Sequence, residues 1–308
     1  MTPGSQLSFG SARTLHLIGL GSIAVALAVM ALKYFAFLLT GSVALYSDAL
    51  ESIVNLVTAV AALVAINFSS RPADKNHPFG HHKAEYLSAV LEGVLIVVAS
   101  ILIFREAASA LSEPRTVETF GTGAAVSALA TLVNGGWSAF LIRRGRALRS
   151  PALVADGWHL LSDVLTSVGV IVGLLLAWVT GFGILDPLIA IAVALYILWS
   201  GSRIVVASMS GLLDEAVDSE IQARIRSAIE RSGEGALQAH DVRTRQAGRV
   251  IFIEFHLVVP GSMTVDAAHE ICDRLEAALE TEIAGSEVII HVEPEHKAEA
   301  RSKGAIPL

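Results

Sequence analysis

Apolar residues run through the first two thirds of the chain in six long blocks, at about 14 to 38, 43 to 67, 86 to 110, 121 to 142, 153 to 180 and 183 to 206. Each block predicts a helix that can cross a hydrocarbon core, which takes about 20 residues. The first is longer than a signal-peptide core and is read as a retained helix. Beyond residue 211 the pattern changes to short alternating elements. Ser219 to Arg231 reads as an amphipathic helix, His240 to Thr244 and Val250 to Val259 as strands, and Thr264 to Ile283 as a helix with Val265, Ala268, Cys272, Leu275 and Leu279 on one face. Glu287 to Val292 reads as a last strand. The expected architecture is a membrane α-helical bundle of six transmembrane helices over residues 1–210. An α+β domain (α-β-β-α-β) follows over 211–308 and ends in a short flexible tail. A core built from about 85 residues is small, so this domain would gain from pairing with a second copy.

Composition sharpens this picture. Hydrophobic residues make up 53% of the 308, above the globular norm, as a membrane protein requires. Arg71, Lys75 and Lys83 follow the second block, and Arg143, Arg144, Arg146 and Arg149 follow the fourth. The opposite connections hold only Arg105 and Arg115, so the basic loops and both termini are expected in the cytoplasm. A net charge of -7 argues against nucleic acid and suits cations. Cys272 is the single cysteine, so no intrachain disulfide can form.

The chemistry lies in two of the blocks. Asp48, Glu51 and Asn55 in the second are spaced i, i+3, i+7, and Asp156, His159 and Asp163 in the fifth repeat that spacing, so each set shares a helix face. An ionisable group at mid-bilayer costs on the order of 3 kcal/mol, and a bound cation would offset that cost. Facing helices could offer Glu51, Asn55, His159 and Asp163 to one ion. Carboxylate, amide and imidazole donors suit Zn²⁺ and also accept Fe²⁺, Mn²⁺, Co²⁺ or Cd²⁺, and the lack of a thiolate disfavours Cu⁺. The alternative is that these groups only hydrogen-bond between helices or line an ordinary water pocket. Because metal binding needs neutral imidazole and ionised carboxylate, it competes with protons, and metal-for-proton exchange is the natural energy source. Glu92 and Asn134 are isolated polar residues expected to serve packing or water contacts rather than ion binding, and Lys33 is expected to snorkel to the outer interface. Gly169 and Gly173 form a G-x-x-x-G that suggests close helix packing.

These stretches resemble the cation diffusion facilitator family. The resemblance rests on SVALYSDALESIVN from Ser42 to Asn55, VADGWHLLSD from Val154 to Asp163, and the loop RPADKNHPFGHHKAE from Arg71 to Glu85. It implies a homodimeric, proton-coupled antiporter in a bacterial inner membrane that exports divalent metal by alternating access, with a metallochaperone-like C-terminal domain. Its partners would be a second copy, lipid, metal ions and protons; no organic cofactor is expected. By position, Glu51, Asn55, His159 and Asp163 would be the transport site. Relatives commonly carry Asp and Asp, or His and Asp, where this chain has Glu51 and Asn55. The resemblance also implies a loop metal site at Asp74, His77 and His81, with His82 nearby. A second cytoplasmic site would lie at His240, His256, His269, His291 and Glu293, with Glu254 and His296 in reach, and Lys83 and Asp214 would form a salt bridge between the domains. Two other functions fit the same donors, an intramembrane metallohydrolase and a metal sensor or scaffold without transport. The hydrolase lacks H-E-x-x-H and a general base.

Overall fold

The computed structural model describes residues 3–40, 43–111, 122–182, 184–298 and 304–308. Of these, the side chains of 3–12, 36, 37, 39, 40, 43–51, 106, 110, 122–124, 127, 170, 171, 173–175, 177–179 and 186 lie outside the description. The chain forms two compact units, one of residues 12–209 and one built around 210–308.

The first unit is helical. Its helices are α1 (Pro3–Thr40, in this unit from residue 12), α2 (Val43–Ser69), α3 (Ala84–Ala110), α4 (Thr122–Ala147), α5 (Pro151–Thr180) and α6 (Leu185–Leu212, in this unit up to residue 209). The shortest has 26 residues, about 39 Å at 1.5 Å per residue, which exceeds the hydrocarbon thickness. Among the described residues, Arg13–Phe35, Ser52–Ser69, Ala84–Ser109 and Pro187–Leu212 are apolar enough to cross a membrane. The bundle turns large apolar side chains such as Leu17, Val64, Leu102, Leu132 and Val206 outward. Lipid can accept such a surface where water would not.

Inside the bundle, Leu15 and Ile18 of α1, Ala62 and Ile66 of α2, Leu141 of α4 and Ala152, Leu153 and Leu160 of α5 form one buried cluster. Glycines let the helices approach. A Cβ on Gly157 would lie 2.7 Å from Ile142 Cγ1 and 3.0 Å from its backbone N, so α4 and α5 touch nearly backbone to backbone. A Cβ on Gly93 of α3 would meet Gly201 O of α6 at 3.3 Å, and one on Gly169 would meet Val193 Cγ2 of α6 at 2.9 Å. The position of a Cβ at Gly173 lies outside the described residues. Lys33 departs from its expected snorkelling: it is 5% exposed.

The second unit holds α7 (Ser219–Ser232), β1 (Gln238–Ala247), β2 (Val250–Val259), α8 (Val265–Glu282), β3 (Ser286–Pro294), a 3-10 turn (Glu295–Lys297) and β4 (Ile306–Pro307). Asp218 caps α7 by accepting from the Ile221 N–H at 2.9 Å, and Thr264 caps α8 by accepting from Ala267. The strand order is β3-β2-β1-β4, with β2 antiparallel to β1 and parallel to β3 across the α8 crossover. Ile251, Ile253, Phe255, Leu257 and Val259 alternate onto one face of β2, where Ile225 and Ile229 of α7 and Ile271, Leu275 and Leu279 of α8 cover them. β2 has the limits expected of it, whereas β1 and β3 outrun theirs because ladder pairing extends past the apolar alternation that marks them. Where a flexible tail is expected, β4 pairs with β1 and Leu308 packs on the core, since its apolar residues find a free strand edge there.

Candidate metal centres

α2 and α5 pack against each other and bring Asn55 to His159 and Asp163. Asn55 and His159 are 4% and 5% exposed. The Asn55 amide Nδ2 donates to Asp163 Oδ2 at 2.6 Å, and its Oδ1 faces His159 Nε2 at 3.1 Å. Asn55 therefore bridges the imidazole and the carboxylate. The side chains of Asp48 and Glu51 lie outside the described residues; Glu51 falls on α2 one turn before Asn55.

Asp156 plays a different part from the rest of its stripe. It is 1% exposed and accepts from Ser22 Oγ of α1 at 2.9 Å, while Ser22 Oγ accepts from Trp137 Nε1 of α4 at 3.0 Å. This chain joins three helices. Sequence reading passed over a second polar junction, because single serines in apolar helices carry no pattern. Glu85 of α3 is 1% exposed and accepts from Ser69 Oγ of α2 at 2.8 Å and from Ser150 Oγ at the start of α5.

The loop between α2 and α3 gathers Asp74, His77 and His81, whose donor atoms lie within 4.8 Å of one another. Asp74 Oδ1 accepts from the backbone N–H groups of Asn76 and His77 at 2.8 and 2.7 Å. The His77 N–H foremost, with that of Asn76, holds the Asp74 carboxyl below its usual range against the opposing effect of burial. Its other oxygen faces His81 Nε2 at 3.3 Å. His81 is 7% exposed with its ring edge-on to Phe68, so the loop's turn fixes one ligand inside and leaves His77 outside.

On the sheet face opposite the helices, His240, His256 and His291 sit directly across from one another on β1, β2 and β3. Their rings are 5.2 and 5.0 Å apart. Glu293, two residues along β3 and so on the same face, lies 3.4 Å from His240 Nε2, 3.6 Å from His256 Nδ1 and 3.7 Å from His291 Nε2. His240, His256 and Glu293 have donor atoms within 4.8 Å of one another, and three-donor groups of this kind hold divalent metals. A bulge after His240 puts Asp241 at φ 50° and its carboxylate 4.0 Å from His256, an acidic neighbour that strand alternation could not reveal. His269 stands apart on α8, exposed and 3.6 Å from Asp273, because its helix covers the other face. Glu254 pairs with Arg243 across the ladder, and His296 lies exposed in the 3-10 turn. Within the second unit, Asp214 lies 3.4 Å from Arg245.

Residues 20–213 match the cation efflux transmembrane domain, and residues 217–295 match the cytoplasmic domain of cation efflux proteins. An uncharacterized transporter of Synechocystis sp. is 44% identical over 273 residues, covering 89% of this chain and 88% of that protein. The cation-efflux pump FieF of Klebsiella pneumoniae is 32% identical over 285 residues, covering 92% and 94%. Among solved structures, the metal-bound C-terminal domain of the CzcD transporter from Thermotoga maritima is 32% identical, covering 26% of this chain and 93% of that one, with a TM-score of 0.25.

Proposed function

The chain belongs to the cation diffusion facilitator family of cation-efflux transporters, and from that premise we propose that it exchanges cytoplasmic divalent metal for external protons through Glu51, Asn55, His159 and Asp163. Transport rather than catalysis is the activity of such a protein. The observation that carries the reading is the Asn55 bridge. The Asn55 amide donates to Asp163 Oδ2 while its oxygen faces His159 Nε2, so donor atoms from two helices converge on one place. A metal ion takes up the lone pairs with which the Asn55 oxygen and the Asp163 carboxylate accept these hydrogen bonds, and His159 Nε2, which donates to Asn55, gives up its proton to bind it. His159 Nε2 can hold a proton or the ion but not both, which makes exchange intrinsic to the donor set.

Zn²⁺ leads the substrates on donor type, and the amide and carboxylate oxygens extend the range to Fe²⁺, Mn²⁺, Co²⁺ and Cd²⁺. Asp74, His77 and His81, together with His240, His256, His291 and Glu293, are proposed to bind metal on the cytoplasmic side as regulatory or structural sites. The small C-terminal unit is proposed to pair in a homodimer, in an inner membrane with both termini cytoplasmic. Asp163→Ala in proteoliposomes is the test: flux should vanish while the dimer stays folded, and normal flux would remove this site from the account.

A further inference from the structure

Asp156 and Glu92 lie outside the metal-ligand quartet, and they differ in how well each is accommodated as an anion. Asp156 receives a hydrogen bond from Ser22, whose oxygen is held in turn by the Trp137 indole. Glu92, in the third turn of α3, is 0% exposed. Its Oε1 accepts one long bond from Ser88 Oγ at 3.2 Å, and its Oε2 is buried without a hydrogen-bond partner. α3 packs on α2, α5 and α6, and the charged group acting on Glu92 is Asp156 of α5, which in turn feels His159. Two carboxylates that act on each other in dry surroundings cannot both stay charged; one keeps a proton. A buried anion with an unsatisfied oxygen is the costlier of the two, so the proton belongs on Glu92.

We infer that Glu92 carries one proton of the exchange cycle at a position separate from the metal ligands. The inference rests on the exchanger reading above. When metal reaches Asn55, His159 and Asp163 from the cytoplasm, its two positive charges favour a second anion beside Asp156. The Glu92 O–H bond then breaks, its electron pair stays on the carboxylate, and the proton leaves to cytoplasmic water. When metal departs outward, the carboxylate takes a proton from the outer side. One proton therefore moves inward per ion moved outward, in addition to any lost from the ligands.

The test uses the full chain in liposomes with the membrane potential clamped, Zn²⁺ as the ion and a pH step of one unit, with metal and proton movement recorded together. Glu92→Gln should move one proton fewer per Zn²⁺ than wild type. Its steady accumulation ratio should fall about tenfold, the factor one pH unit confers per coupled proton. Transport with an unchanged ratio and unchanged accumulation would overturn the inference. Wild-type Zn²⁺ flux without counter-moving protons would remove instead the exchange reading on which it rests. Should Glu92→Gln not fold, difference infrared spectra decide. Metal loading of wild type must bleach a protonated-carboxyl band, and Ser88→Ala, which alters the hydrogen bond to Glu92, must shift that band. An absent band, or one that Ser88→Ala leaves in place, would overturn the inference.

Discussion

Asn55→Asp changes one atom group at the centre of the transport site, and its consequence can be worked from one distance. The wild-type amide donates to Asp163 Oδ2 across 2.6 Å. A second carboxylate turns that contact into oxygen against oxygen. Two unit charges at this separation repel by about 6 kcal/mol at an effective dielectric of about 20. That is between about four and five powers of ten in equilibrium, more than the lost hydrogen bond of about 1 kcal/mol. The metal-free variant must therefore keep a proton between Asp163 and the new carboxylate, and metal must displace it. The apparent KM for Zn²⁺ on the loading side of proteoliposomes, measured from pH 6 to pH 8, should fall with pH more steeply than in wild type by about one further power of ten per pH unit. Parallel slopes would show that Asn55 does not sit against Asp163 in the working site, and the argument from the bridge would fail.

Further predictions follow from the packing and the cytoplasmic clusters. Gly157→Ala places a methyl within 3.0 Å of the Ile142 backbone N and should cost about 1 to 3 kcal/mol, lowering the melting temperature of the detergent-solubilised protein; a wild-type melt would contradict the close approach of α4 and α5. Zn²⁺ at about 100 times its Kd should stabilise the wild-type C-terminal unit by about 2.7 kcal/mol in calorimetry, and Glu293→Gln, which takes the anion from among three imidazoles, should lose most of that gain. The Cys272 thiol is pushed up by burial first, and then by the charges of Glu276 and Asp273. Maleimide at pH 7 should label it far more slowly in the native chain than in denaturant, and equal rates would place it at the surface.

The helices, and the side of α5 that His159 and Asp163 turn to Asn55, were legible because both rest on periodicity, which survives whatever packs against it. Depth and partner were not. Asp156 shares its helix face with His159 and Asp163, yet it ends in a hydrogen-bonded chain with Ser22 and Trp137. Spacing names a face of one helix and is silent on which neighbour meets each turn. The row of His240, His256 and His291 depends on a register that joins three strands, and a one-residue slip would have scattered it. The bulge that adds Asp241 beside that row, and the two-residue strand β4, leave no periodic trace to read. His269 lies on the helix that covers the opposite face of the sheet, where strand register does not bring it to the row.

Proton-driven transport itself is the claim on which the rest depends, and flux in proteoliposomes measures it directly. With purified wild-type protein and an imposed pH gradient, Zn²⁺ should accumulate against its own gradient toward the acidic side, and dissipating the pH gradient with an ionophore should abolish that accumulation. No movement of Zn²⁺, Fe²⁺, Mn²⁺, Co²⁺ or Cd²⁺, or accumulation indifferent to the pH gradient, would contradict it.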